Sequence, residues 1–259
     1  VRDMTFRANF VIETISSMSW TAMNLGFYLL IFHYTPQIGL DTGWGRWQFF
    51  IFLATTMFVN ALVQTFFMPN CEEFSELIRT GNLDFALLKP IDTQFLVSLQ
   101  KTDWSSLSNF VMGAVLLGVS LWQLDYRPTL LNVLLYPFFL LCGVAILYSL
   151  MIALSATSIW LGRNQSLYNF WFYITNFSRY PKEIYGGAVG LVLQRLFLFV
   201  IPVLVVVNVP ARLLAQPLRP ERPEEWLLAA FTVFAALGSL LASRWIFRRA
   251  LRSYRSASS

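Results

Sequence analysis

Long apolar runs alternate with short polar joints along almost the whole chain. Five runs stand out: Ser17–Tyr34, Trp47–Phe67, Ser105–Leu124, Leu131–Leu161 and Trp226–Phe247. About 20 helical residues at 1.5 Å each carry a chain across the ~30 Å hydrocarbon core of a bilayer, so each run predicts a membrane-spanning helix. Seven of the nine tryptophans lie near the ends of these runs, among them Trp44, Trp47, Trp104 and Trp245. Indole favours the headgroup level, where its ring is buried and its N–H stays wet.

The stretch Asn164–Asn208 is less regular. Asn164–Tyr180 is short and aromatic; Gly187–Asn208 is more apolar but carries Gln194, Arg195 and Pro202. An arginine at the bilayer centre costs roughly 2.5–3.5 kcal/mol on insertion scales. Parity decides between them. The C-terminal cluster Arg244, Arg248, Arg249, Arg252 and Arg255 favours the cytoplasm, and Arg2 and Arg7 place the N-terminus on the same side. The number of crossings is then even. Asn164–Tyr180 is expected to be the fifth span, and Gly187–Asn208 an external re-entrant pair with Arg195 near its turn or a wet cavity. Irregular backbone at membrane depth must be covered by protein or water. The charge rule is not cleanly obeyed, since Arg179, Lys182, Arg212, Arg219 and Arg222 fall on the external side.

Composition agrees with a lipid environment. Hydrophobic residues make up 56% of the 259 and charged residues 13%, about half the usual share of a soluble domain. No polar stretch is long enough to fold separately, so one membrane domain over residues 1–259 is expected. The net charge of +5 is not gathered on a soluble face, and nucleic acid is not an expected partner. Cys71 and Cys142 lie in unlike settings, and His33 is the lone histidine, so neither a disulfide framework nor a metal site is expected. The N-terminal segment lacks the small-residue cleavage site of a signal peptide.

Two polar segments and one set of polar side chains carry candidate chemistry. Val1–Ser16 places Met4, Phe10, Val11 and Ile15 on one helical face and reads as a helix in the membrane interface, or as a plain lead-in to the first span. Cys71–Lys101, between spans two and three, is the long polar loop on the cytoplasmic side. Glu72, Glu73, Glu76 and Arg79 alternate there with Phe74, Leu77 and Ile78, predicting a short amphipathic helix stopped by Gly81 and lying parallel to the membrane. Within the spans, Asn24, Asn60, Gln64, Asn109 and Asn132 could line a translocation path or hydrogen-bond between helices.

The run from Glu76 to Pro90 (ELIRTGNLDFALLKP) resembles a signature of bacterial permease subunits of the type-2 ABC exporter class. Arg179-Tyr180-Pro181 with Ile184-Tyr185, and Val200-Ile201-Pro202 followed by Asn208-Val209-Pro210-Ala211, resemble further family motifs in the same order. Gly186-Gly187 departs from the proline or bulkier residue expected after the tyrosine. The resemblance implies an all-α integral membrane protein of about six spans in the bacterial plasma membrane, with both termini cytoplasmic. It also implies an interfacial N-terminal helix, a cytoplasmic coupling helix and an external re-entrant hairpin. It further implies a dimer with a second permease subunit, and a separate cytoplasmic ATPase that binds ATP and Mg and drives export; the aromatic share of 17% suggests an amphipathic or large substrate. Glu72, Glu73, Glu76, Arg79 and Asp84 are the residues it assigns to the ATPase contact.

No G-x-x-x-x-G-K-[ST] loop occurs at Lys89, Lys101 or Lys182, so the chain is not expected to be an ATPase itself. No cofactor of its own is expected. A membrane enzyme would need a convergent acidic pair or a nucleophile beside a base, which the spans do not offer. A non-transporting scaffold or sensor remains the other reading.

Overall fold

The computed structural model describes residues 7–39, 42–124, 127–161, 165–216 and 223–254. Twelve α-helices are seen among them. The long ones are α1 (Arg7–Tyr34), α2 (Arg46–Phe66), α6 (Leu107–Gln123), α7 (Leu130–Ala156) and α12 (Pro223–Ser253). The short ones are α3 (Met68–Arg79), α4 (Leu83–Leu87), α5 (Thr93–Ser98), α8 (Ser158–Leu161), α9 (Gln165–Asn176), α10 (Gly187–Arg195) and α11 (Val203–Ala215). Five stretches of described helix are long and apolar enough to cross a membrane, and α10–α11 form a bent pair that passes the same test. The chain is an all-α integral membrane protein.

The bundle has two distinct ends. At one, here called the hairpin end, α1 stops at Tyr34, and α2 and α12 begin. At the other, the arginine end, α3, α4, α5 and α8 gather beside Arg244, Arg248, Arg249 and Arg252 of α12. The first residues of α1 and the last of α12 both lie toward the arginine end, because Ser17 contacts the start of α6 and Arg244 contacts Asp92 before α5.

Two boundaries differ from the sequence reading. No break separates an interfacial helix from the first span: α1 runs unbroken from Arg7, and residues 1–6 lie outside the described residues. Nor does α3 stand apart as a segment lying across the end of α2. A single residue, Phe67, separates them, and Arg46–Arg79 form one 34-residue helical run. Pro69 is tolerated there because a proline in the first helical turn removes an N–H that has no intrahelical acceptor. The polar helix ends as expected, at Arg79, with Gly81 at φ +73° reversing the chain.

The expected fifth span is short. α9 has 12 residues, about 18 Å, followed by a 3₁₀ turn at Phe177–Arg179. It nevertheless carries the chain from α8 at the arginine end to the hairpin end. The bent pair cannot do so, since it leaves from beside Lys182 and returns to Glu183 through Arg212. The two arms turn by 87° at Ile201–Pro202, as a re-entrant element does. Gly187 sits at φ +72°, a left-handed conformation that accounts for the second glycine of the pair, whereas Gly186, directly after Tyr185, is extended at φ −96°.

The arms of that pair are unlike. α11 is buried almost throughout, wedged between α7 and α2, whereas α10 turns Val189 and Val192 outward. Pro210 deprives the Val206 carbonyl of its helical donor, and that carbonyl faces Gly143 of α7. A Cβ at residue 143 would stand 2.7 Å from Val206 O, so glycine here permits the close approach of the two helices.

Candidate functional site

A polar cleft of about 350 Å³ runs along the outer side of α2, bounded by α1, the start of α6 and the turn after α9. From Leu53 to Gln64 it extends over twelve residues of α2, about 16 Å along the bundle axis. The residues Asn24, Asn60, Gln64 and Asn109, read from sequence as candidates for a translocation path, all line it. Their hydrogen bonding separates them into two kinds. Asn109 Oδ1 accepts from Ser17 Oγ (2.9 Å) and Thr21 Oγ1 (3.2 Å), tying α6 to α1. Asn24 Nδ2 donates to Trp20 O of its own helix. Asn60 and Gln64 bond to no described residue, so their amides are presented to whatever fills the cleft. Asn132 lies elsewhere, near the N-cap Thr129 of α7, and takes no part.

Sequence reasoning missed the rest of the lining. Trp20, Tyr28, Arg179 and Tyr180 are part of it, Arg179 at the hairpin end and Ser17 toward the arginine end. A signal was available: Ser17, Thr21, Asn24 and Tyr28 recur at i, i+4, i+7 and i+11, one stripe of α1. Leu53, Met57, Asn60 and Gln64 repeat that spacing on α2.

A second cluster closes the hairpin end. Trp44, expected at the headgroup level, is fully buried, and its indole N–H donates to Glu183 Oε2 at 2.9 Å. Glu183 Oε1 takes Arg212 at 2.6 Å, and Arg212 reaches Glu225 at 3.5 Å. The Arg212 and Glu183 side chains are only 16% and 20% exposed. Asn208, wholly buried in α11, accepts from Lys182 N at 2.9 Å, and Gln194 Nε2 donates to Lys182 O. Burial and the neighbouring Arg212 together push the Lys182 ammonium below its ordinary range. The Arg212 charge that sat awkwardly with the topology is thus neutralised locally. Arg195 is exposed at the end of α10, six residues before the Ile201–Pro202 turn, and forms no ion pair with a described residue. It lies outside the polar cleft.

The third assembly is at the arginine end. Asn70 holds both sides of the loop after α2: its Nδ2 donates to Lys101 O (2.8 Å) and its Oδ1 accepts from Lys101 N (2.7 Å). Of the expected contact residues, Glu73 pairs with Lys101 at 2.6 Å, Glu76 with Arg79, and Glu72 is exposed. Asp84 lies in α4 near Tyr254. Asp92 was not foreseen. It caps α5 through Phe95 N and takes a two-pronged contact from Arg244 of α12. Arg244 also reaches Gln94, which with Ser98 binds the Tyr148 hydroxyl of α7. Phe74 packs on Phe247, ring centres 5.5 Å apart.

The Arg244 guanidinium holds the Asp92 carboxyl down at about 2. Against an unfolded value near 4, the pair contributes fully above about pH 4 and is lost as pH falls toward 2. Both side chains are partly exposed, so the contribution is at most about 1 kcal/mol. Asp92→Asn should therefore lower the unfolding midpoint at pH 6, with the gap narrowing below about pH 4 and closing only near pH 2, read by thermal unfolding across pH.

These features define a multi-pass helical membrane protein with a polar cleft beside its second span. The family follows: the chain belongs to the ABC-2 transporter proteins, whose family model, described as ABC-2 family transporter protein, matches residues 18–258. It is the membrane permease component of an ABC transporter. No curated protein and no solved structure matches it.

Proposed function

We propose that this chain is the permease of an ATP-driven exporter, coupled to a separate ATPase at the arginine end, which faces the cytoplasm of a bacterial plasma membrane. One observation carries the reading: the helix that lines the cleft with Asn60 and Gln64 continues, after one residue, into the helix that bears Glu72, Glu73, Glu76 and Arg79. A displacement of α3 by a docked partner therefore acts directly on the cleft wall. The α4–α5 segment, anchored to α12 by Asp92–Arg244, spreads the same load to a second span. ATP and Mg belong to the partner, and a second permease subunit completes the assembly. The substrate is amphipathic or large, and it moves outward.

The test is co-purification of the tagged chain from its native membrane in mild detergent. A stoichiometric soluble subunit carrying a nucleotide-binding loop is the expected result, and Glu72→Lys with Glu76→Lys should release it at least tenfold while the unfolding midpoint stays put. Retention of that subunit by the double variant would remove α3 from the interface. Absence of any such subunit from wild type would overturn the coupled-permease reading.

A further inference from the structure

Resting on the reading of the cleft as the substrate path, we infer that its ligand is an anionic amphiphile: an acidic headgroup at Arg179 and a hydrogen-bonding body along Asn60 and Gln64. Charge is the first argument. Among the described residues lining the cleft, Arg179 is the charged one and no carboxylate is present. Arg179 forms no ion pair with a described residue, so its guanidinium is available to a ligand. A cation entering the cleft would meet an uncompensated like charge, whereas a phosphate or carboxylate would gain a charge-assisted, two-pronged contact.

The second argument is desolvation. An occupant that displaces water from Asn60 and Gln64 must replace those hydrogen bonds, because a covered and unpaired amide is costly. A plain hydrocarbon chain cannot do this, but hydroxyl or amide groups can. The third is the apolar fraction: Leu53, Met57 and the half-open Trp20 ring give the ligand's carbon skeleton a surface. The volume falls within the ~300–1,000 Å³ range of small-molecule sites. The order of features along α2 also sets an orientation, with the acidic group toward the hairpin end and the amide-binding part toward the arginine end. This gives the Arg179-Tyr180 run a chemical role that its place in the fold alone does not require.

Trp20 supplies the readout. The full chain is placed in nanodiscs of phosphatidylcholine and titrated with three brominated probes of equal chain length: 11-bromoundecanoate, an 11-bromoundecyl maltoside and an 11-bromoundecyl trimethylammonium. Subtracting the same titration of Trp20→Phe isolates quenching in the cleft. The expected result is about tenfold tighter apparent binding of the carboxylate than of the ammonium, with that preference lost in Arg179→Gln. The maltoside should bind between them and weaken severalfold in an Asn60→Leu, Gln64→Leu double variant. Equal quenching by carboxylate and ammonium, or a preference unchanged by Arg179→Gln, overturns the anionic assignment while leaving the cleft as a binding site. Quenching of Trp20 no greater than that of the remaining tryptophans, with every probe, overturns the cleft itself. Unfolding curves of each variant separate loss of binding from loss of fold.

Discussion

Replacing Glu183 with alanine is expected to destabilise the protein by about 3–5 kcal/mol, the range for breaking a buried ion pair from one side. Arg212 would keep Glu225 at 3.5 Å, but its side chain is 16% exposed and its Nε already lacks a partner among the described residues. The Trp44 indole N–H would lose its acceptor at the same time, inside a fully buried site. These two losses overlap and do not simply add. Four segments meet at Glu183: the loop before α2, the chain after α9, the end of α11 and the start of α12. Loosening should therefore expose the re-entrant pair to protease before the bundle melts. Glu183→Gln keeps an acceptor for Trp44 and should cost roughly half as much. Thermal unfolding in mild detergent with limited proteolysis reads both, and an unchanged midpoint in Glu183→Ala would mean that Glu225 alone satisfies Arg212.

The second large effect is expected at Gly143. A methyl group there meets the Val206 carbonyl oxygen at 2.7 Å and Val206 Cγ1 at 3.0 Å. The obstacle is backbone, which cannot rotate away, so α11 must shift from α7. Overpacking of this kind costs typically 1–3 kcal/mol, and the shift would also disturb the contact of α11 with α2. Gly118 of α6 is the natural control. Nothing lies within 4 Å of a Cβ built on it, and alanine there should be neutral or stabilise by up to about 1 kcal/mol. If Gly143→Ala and Gly118→Ala unfold alike, the close approach of α7 and α11 has no energetic weight.

The spans were legible because lipid imposes a length and a composition on each. Apolar runs gave the five helices long enough to cross a membrane, whereas the segment that parity made the fifth span, Asn164–Tyr180, holds the 12-residue α9, below that length. Helix continuity was less visible. Polar residues at Glu72 and Glu73 ended the apolar run of span two without ending the helix, and Ser16 to Ser17 marked a change of composition inside α1. The cleft was half legible. Asn24, Asn60, Gln64 and Asn109 stood out as polar groups in apolar surroundings, but their meeting in one cleft is a property of packing. Arg179 and Tyr180 fell in a motif whose geometry no local pattern conveys. Pairs such as Asp92 with Arg244, 152 residues apart, and Trp44 with Glu183, 139 apart, have no local signature at all. Arg244 read as one member of a basic cluster, and only the fold singles it out.

The unbroken run Arg46–Arg79 also fixes a ratio of movements. At 1.5 Å per residue it is about 50 Å long, and Gln64 lies about 27 Å from the hairpin end. If the rod tilts about that end, any displacement at Arg79 appears at Gln64 reduced by about half, whatever the angle. A 10° swing moves the tip by roughly 9 Å and the cleft wall by roughly 5 Å, about the width of one helical turn. The gearing is set by where two amides sit along one helix, so moving them by a turn toward Arg46 would shorten the stroke at the cleft without altering the lever.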